Sequence, residues 1–169
     1  MKSLEEQLTT YAAYHRDSTN KAIHAVFVPL ITWSAMGLLS FSLPVHVEGF
    51  DITLALVVSA LVLLYYLALD FALGVVMVVL FSFLLVTASQ VHAAAPSYGY
   101  AFFGIVFAVS WIGQILGHSV WEHRKPALLD NLFQVLIAPL FVVSEGFFVL
   151  GLRKDLKERI EGKMPARSS

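Results

Sequence analysis

The chain has 169 residues, of which 58% are hydrophobic and only 14% charged, and its formal net charge is -1. Apolar residues in this proportion, arranged in long runs, exceed what a soluble core of this size holds, so the composition indicates an integral membrane protein. The near-neutral charge and the lack of a basic stripe argue against nucleic-acid binding. The absence of cysteine excludes disulfides, thiolate metal ligands and cysteine nucleophiles.

The first 21 residues are polar and mixed in charge. They are too long and too mixed for the basic head of a secretory signal, and no small-residue cleavage site follows the first apolar run, so we expect that run to stay in the mature protein. No repeat or polar linker divides the remainder. We therefore predict a single membrane domain over 1–169, with a cytoplasmic N-terminal segment (1–21), a helical bundle (22–152) and a basic cytoplasmic tail (153–169).

Five apolar stretches follow the N-terminal segment, at residues 22–43, 52–69, 71–89, 98–120 and 132–152. Each has about the 17–25 residues that a helix needs to cross a hydrocarbon core. The second and third are separated by little more than Asp70, so the chain must turn tightly there. The predicted fold class is all-α, an integral membrane helical bundle.

The positive charges predict how this bundle lies in the membrane. All eleven Lys and Arg residues lie in the first 21 residues, at Arg124-Lys125, or after Leu152. Four spans from a cytoplasmic amino end return the chain to the cytoplasm at Arg124, whereas a fifth full span would place the basic tail on the wrong side. Pro139 and Glu145 also interrupt the last stretch. We therefore expect four transmembrane helices plus a fifth segment that is broken or re-entrant near Pro139, with both termini cytoplasmic; the alternative is five ordinary spans.

The first polar cluster lies at residues 14–24. On one continuous helix, a separation of nine residues would put His15 and His24 on opposite faces. Asp17, Ser18 and Asn20 are residues that cap a new helix, so a break there lets His15 fold back over His24. In the alternative interpretation, His15 is solvated and His24 anchors the helix at the membrane interface.

The second polar cluster lies at residues 114–126. His118 and Glu122 are four residues apart and project from one helical face, which is good spacing for an imidazole and a carboxylate that converge on one cation. Pro126 discourages the helix from continuing. Alternatively, Glu122 pairs with Arg124 or Lys125 at the interface, and His118 is hydrogen-bonded inside the bundle.

The other histidines are weaker candidates for a metal site. His123 is five residues from His118 and turns away from that face. His46 and His92 are expected in loops on the opposite side of the membrane, where neither reaches the site. Imidazole and carboxylate ligands without thiolate suit iron(II), zinc, manganese or nickel, and a set with open positions is typical of iron(II) sites for oxygen chemistry.

A spaced pattern of residues runs through most of the chain, from about residue 14 to residue 152. It consists of Tyr14-His15, Asn20, His24, Pro29, Trp111, Gln114, Gly117-His118, Glu122, Pro126-Ala127-Leu128, Asp130-Asn131-Leu132, Ala138-Pro139 and Glu145. This pattern resembles that of the small multi-pass 2-hydroxy fatty acid dioxygenases, which act in alpha-oxidation, including the breakdown of the phytosphingosine-derived acid.

The resemblance implies an Fe(2+)-dependent dioxygenase that converts long-chain 2-hydroxy fatty acids to acids one carbon shorter. It implies His15, His24 and His118 as the histidines that bind the metal, and the helical spacing adds Glu122 as a ligand or a residue that orients one. We expect Arg124, or its neighbour Lys125, to hold the substrate carboxylate. Other polar residues of the pattern are expected to orient the ligands; these are Asn20, Gln114, Asp130 and Asn131.

Two other classes of function stay open at this stage. A haem-binding electron carrier would need two histidines facing each other across the bundle, for which His24 and His118 are the candidates. A small transporter or a structural membrane protein would explain Pro139 and Glu145 without any metal. The expected partners are the lipid bilayer, a long-chain 2-hydroxy fatty acid and O2, and a homo-oligomer is left open. The membrane would be the inner membrane of a bacterium or the endoplasmic reticulum of a eukaryote.

Overall fold

The computed structural model describes residues 2–40, 45–47, 50–122 and 133–164. Within these ranges the chain is helical apart from one short hairpin, so the predicted all-α class is confirmed. The helices are α1 (Leu4–Ala12), α2 (Ser18–Ser40), α3 (Leu54–Leu69), α4 (Phe71–Ala94), α5 (Gly99–Gly117), α6 (Gln134–Val149) and α7 (Lys154–Lys163). A π-helical turn, His118–Glu122, continues α5. The strands are β1 (Val45–Val47) and β2 (Phe50–Ile52).

Three of the described helices are long and apolar enough to cross a membrane. They are α2, α4, and α5 together with its π-helical turn, with 23, 24 and 24 residues. The helix in the position of the predicted second span, α3, is apolar but has only 16 residues, which gives about 24 Å of length. The bent pair of α6 and α7 brings the candidates to four if it counts as one span. The helices thus follow the predicted apolar stretches in order.

Apolar side chains on the outside of α3 and α4 support the membrane assignment. Leu61, Val79 and Phe83 are each more than 60% exposed. Monomeric soluble proteins rarely expose large contiguous apolar surfaces to water, whereas lipid tails cover such surfaces without a penalty.

The described chain forms two compact units. The first comprises residues 1–26 and 113–169, and the second comprises residues 27–112. The first unit contains α1, the start of α2, the π-helical turn, α6 and α7. The second contains the remainder of α2, the hairpin, α3, α4 and most of α5. The single domain expected over 1–169 stays a prediction.

The tight turn predicted between the second and third apolar stretches is confirmed at Asp70. This residue ends α3, where its N–H bonds the carbonyl of Tyr66 at 3.0 Å, and it begins α4, where its Oδ1 accepts from the N–H of Leu73 at 3.0 Å. Close packing of the two helices requires a glycine at position 74. A Cβ on Gly74 would lie 2.7 Å from the Cα of Leu67, which is backbone that cannot move aside.

The segment around residues 45–50, predicted as a loop, contains an antiparallel hairpin. Val45 is paired with Ile52, His46 with Asp51 and Val47 with Phe50. The prediction was wrong at this point because β-branched and aromatic residues alternate here over too few positions to form a recognisable strand pattern.

The predicted break near Pro139 is wrong, because α6 runs through Pro139 without interruption. Proline removes one backbone donor, which a helix tolerates when its neighbours are packed. The chain turns instead after Val149, where Leu152 N–H bonds Phe147 O at 2.8 Å and Gly151 N–H bonds Phe148 O at 3.1 Å. Gly151 is left-handed, with φ of 73°. This Schellman motif ends α6, and α7 leaves at an angle of 116°.

The N-terminal and C-terminal helices, α1 and α7, pack against each other in the first unit. Glu5 on α1 binds Arg159 at 2.9 Å and Lys163 at 2.6 Å on α7. Beneath these ion pairs, apolar side chains of both helices are buried, among them Leu8 and Ile160. The contact holds α1 in place beside α6 and thereby fixes where the chain leaves α1.

Candidate metal centre

The chain breaks between α1 and α2, as predicted from its capping residues. Asp17 starts the second helix: its Oδ1 accepts hydrogen bonds from the N–H groups of Thr19 at 2.8 Å and Asn20 at 3.1 Å. The break folds the chain back on itself. The ring of His15 consequently lies 4.3 Å from the ring of His24, measured between centroids.

Three histidine rings meet in the first unit. The Nε2 atom of His15 lies 2.9 Å from Nε2 of His24 and 3.1 Å from Nε2 of His118. All three residues are at most 3% exposed. In the part of the chain that the structure describes, these three histidines could hold a metal ion, because their ligand atoms lie within 4.8 Å of one another.

The protonation of two of these rings follows from their outer hydrogen bonds. His15 Nδ1 lies 2.7 Å from the carbonyl oxygen of Tyr11, and His24 Nδ1 lies 2.9 Å from that of Asn20. A carbonyl oxygen only accepts, so each Nδ1 donates and each neutral ring presents a lone pair at Nε2. Two lone pairs 2.9 Å apart repel each other, and a cation that accepts both removes the repulsion. The donor set therefore fits a metal ion.

The spacing of the ligand atoms agrees with this fit. Two imidazole nitrogens at about 2.1 Å from one metal and at right angles to each other lie about 3.0 Å apart. The distances from His15 to His24 and to His118 are close to this value.

Burial, followed by the neighbouring His24, lowers the pKa of His15 well below its ordinary value. His15 is therefore neutral near pH 7 and needs to lose no proton before it binds a metal.

Aromatic side chains enclose His15. The ring of Tyr11 stacks on it at 4.0 Å and 3°, and Phe141 from α6 lies 5.7 Å away. Burial also raises the pKa of Tyr11, which stays a neutral phenol. Neither aromatic residue was among the predicted site residues. The sequence spacing could have indicated Tyr11, because it lies one helical turn before His15. From there its carbonyl and its ring both contact the imidazole.

Glu122 does not join the three histidines but holds the break beside them. Its Oε1 accepts from the backbone N–H of Asp17 at 2.8 Å and from the Asn20 side-chain amide at 3.3 Å. Gly117 makes room for this contact, since a Cβ there would lie 2.6 Å from Asn20 Oδ1. Glu122 thus ties the helix that carries His118 to the segment between the other two histidines.

The helix that carries His118 ends in a turn that is wider than an α-helical turn. His118–Glu122 form a π-helical turn at the end of α5. Such turns insert an extra residue into a helix and occur frequently at functional sites. Both His118 and Glu122 are buried in this turn. The convergence of the two side chains on one cation stays a prediction.

His92 was not expected at the site, and several of the predicted site residues fall outside the described part of the chain. His92 belongs to the last turn of α4 in the second unit, so its assignment to a loop was wrong. The helix simply extends five residues beyond the apolar stretch. His123, Arg124, Lys125, Asp130 and Asn131 lie outside the described residues, and their roles stay predictions.

Glu145, predicted to interrupt the last apolar stretch, has a partner that the sequence analysis missed. Its Oε2 lies 2.9 Å from Nζ of Lys21 on α2. The two residues are 124 positions apart. No local pattern pairs residues at that separation.

Comparisons with known proteins agree on one family. A family model described as "2-hydroxy-palmitic acid dioxygenase Mpo1-like" matches residues 1–149. The chain is also 35% identical over 160 residues to the 2-hydroxy-palmitic acid dioxygenase MPO1 of Saccharomyces cerevisiae, and the match covers 94% of this chain and 87% of that protein. No solved structure matches the chain.

Proposed function

The chain belongs to the Mpo1-like family of 2-hydroxy-palmitic acid dioxygenases and is a membrane 2-hydroxy fatty acid dioxygenase, and we propose that His15, His24 and His118 hold the iron(II) ion for its reaction. The observation that supports this proposal is the convergence of three buried imidazole Nε2 atoms. A site made of nitrogen ligands with further positions open is typical of iron(II) in oxygen chemistry.

Each part of the site has a distinct task in the cleavage between C1 and C2. Iron(II), when bound, supplies the activation of dioxygen. The three neutral imidazoles leave the metal charge uncompensated, which favours an anionic substrate. Tyr11 and Phe141 exclude water from one side of His15. Glu122 fixes the segment that carries His15 relative to His118 and so preserves the ligand spacing.

The membrane setting suits the substrate class. A long-chain 2-hydroxy acid has an apolar tail that stays in lipid and a polar head that reaches a helix end. His24 lies near the start of α2 and His118 near the end of α5, so the ligands are close to helix ends. In this arrangement the product is an acid one carbon shorter.

A turnover experiment tests the proposal. Protein purified in detergent is loaded anaerobically with iron(II), then given a 2-hydroxy fatty acid and oxygen, and the lipids are identified by mass spectrometry. We expect the acid one carbon shorter from the 2-hydroxy acid and none from the 3-hydroxy acid of the same length. Zinc-loaded protein is the second control, since zinc has no redox chemistry. Equal product from zinc-loaded and iron-loaded protein would contradict the role of iron.

The distances disfavour the haem alternative. A haem carried by His24 and His118 would place its flat macrocycle between them. The Nε2 atom of His15 lies 2.9 Å and 3.1 Å from theirs and occupies that space. A metal ion without a macrocycle fits the three nitrogens directly.

Both termini lie on the cytoplasmic side in this proposal. The positive charges favour it, and the ion pairs of Glu5 with Arg159 and Lys163 keep α1 and α7 on one side. Single cysteines at Lys2 and at Gly162 test it, because the chain has no native cysteine and a Cβ at Gly162 meets nothing within 4 Å. We expect an impermeant maleimide to label both from the same side of sealed vesicles. Labelling from opposite sides would rule the arrangement out.

A further inference from the structure

An ion pair between two membrane-embedded helices lies beside the histidines. Lys21 Nζ on α2 and Glu145 Oε2 on α6 are 2.9 Å apart, and their side chains are 35% and 27% exposed. Charged residues within membrane helices are costly and usually serve a function. Removing two charges from water costs free energy that offsets much of the attraction between them, so an ion pair in such helices is weak evidence for a stabilising role. Stability alone therefore gives a weak reason for its presence.

The cation of this pair shares an aromatic neighbour, Phe141, with the metal centre. Lys21 lies one helical turn before His24, so the two residues share a face of α2. Its Nζ lies 5.9 Å from the centre of the Phe141 ring, which in turn lies 5.7 Å from the ring of His15.

Lys21 has the capacity for a second anionic partner. An ammonium group has three N–H donors. In the described part of the chain, the Lys21 ammonium donates to Glu145 Oε2. Glu145 holds the flexible lysine stem in place beside the cluster. The remaining N–H donors can bind a second carboxylate on this face of α2.

We propose that Lys21 is the residue that binds the substrate carboxylate, and that Glu145 positions its ammonium for this task. This inference rests on the proposed function, because it assigns the recognition of the acid group in that reaction. The lysine confers specificity for a 2-hydroxy acid over an uncharged 2-hydroxy lipid. The metal is held by the histidines alone and does not depend on Lys21.

The test uses full-length iron-loaded protein and the variant Lys21→Met. We expect KM for the 2-hydroxy acid to rise by about 10–100-fold, which is the usual effect of losing a hydrogen bond to a charged group. Iron content should match the wild type, and inhibition by the uncharged 1,2-diol of the same length should not weaken. Lys21→Arg keeps the charge and should stay within about threefold of the wild-type KM. Lys157→Met, on the exposed side of α7, is the matched control.

A double variant separates recognition from structure. Lys21→Met/Glu145→Leu removes the pair without leaving an unpaired carboxylate, and such apolar replacements are often neutral for folding. If Lys21 binds the substrate, the KM defect persists in the double variant. Recovery of the wild-type KM, or equal weakening of the acid and the diol, would show that the pair is structural and overturn the inference.

Anaerobic binding of the acid, followed by tryptophan fluorescence, does not require turnover. If the wild-type protein binds the acid through Lys21 but forms no shortened product, the result would support the role of Lys21 and contradict the proposed function. Equally tight binding of the acid by the wild type and by Lys21→Met would contradict the role of Lys21, whether or not the protein forms the shortened product.

Discussion

Alanine at His15, His24 or His118 is expected to weaken iron binding by at least about 10–100-fold, since even the loss of a residue that only orients a ligand has an effect of this size. Each ring supplies one of three converging Nε2 atoms, and two remaining imidazoles hold the ion less tightly and with less defined geometry. Metal analysis of protein purified in detergent measures the loss. Size-exclusion chromatography shows whether each variant is still folded.

The matched control for these variants is His92→Ala. His92 lies on α4 in the second unit, outside the cluster, and its replacement should leave the iron content unchanged. Full iron content in all three cluster variants would refute the centre. Full content in one of them would reduce the ligand set to the other two.

Replacement of Glu122 is expected to have the second-largest effect. Glu122→Gln keeps an oxygen that accepts from Asp17 N–H and loses only the charge, so we expect iron retention or turnover to fall about tenfold. Glu122→Ala also leaves that buried N–H without its partner and should lower the same quantity about 100-fold. The rate of iron loss to a chelator is the direct measurement.

Glu161→Gln, on the exposed face of α7, controls for the loss of one negative charge. Identical retention in Glu122→Ala and the wild type would mean that the break between α1 and α2 holds its shape without the carboxylate. Equal effects of Gln and Ala would instead indicate that the charge, which both variants lose, is what matters for iron retention.

Local signals predicted much of this structure. The turn at Asp70 and the break before α2 follow from capping chemistry, which acts over three or four residues. The approach of His15 to His24 requires that break, so it too could be predicted from the sequence. Helical spacing also predicted that Glu122 and His118 share a face of the helix, although it did not predict the burial of Glu122.

Features that depend on distant contacts were not predicted. Helical spacing predicts the face on which Glu122 lies but not its hydrogen-bond partner. Glu122 Oε1 accepts from the N–H of Asp17, which is 105 residues away. The pairing of Lys21 with Glu145 has the same origin. At Pro139 the local signal was misleading, because one missing hydrogen bond does not decide where a packed helix ends; Gly151, in a left-handed conformation, decides it.

The position of α1 under α6 and α7 has a consequence for how the enzyme is made. His15 and His118 are 103 residues apart, and Phe141 and Arg159, which hold α1 in place, are synthesised later still. At about 5–20 residues per second, the first histidine waits roughly 5–20 s for the last one. The nascent chain therefore carries an incomplete set of ligands until His118 has been made. With the proposed ligand set, all three histidines can hold a metal ion only after His118 has been made, and the contacts that hold α1 in place form only after α6 and α7 have been made.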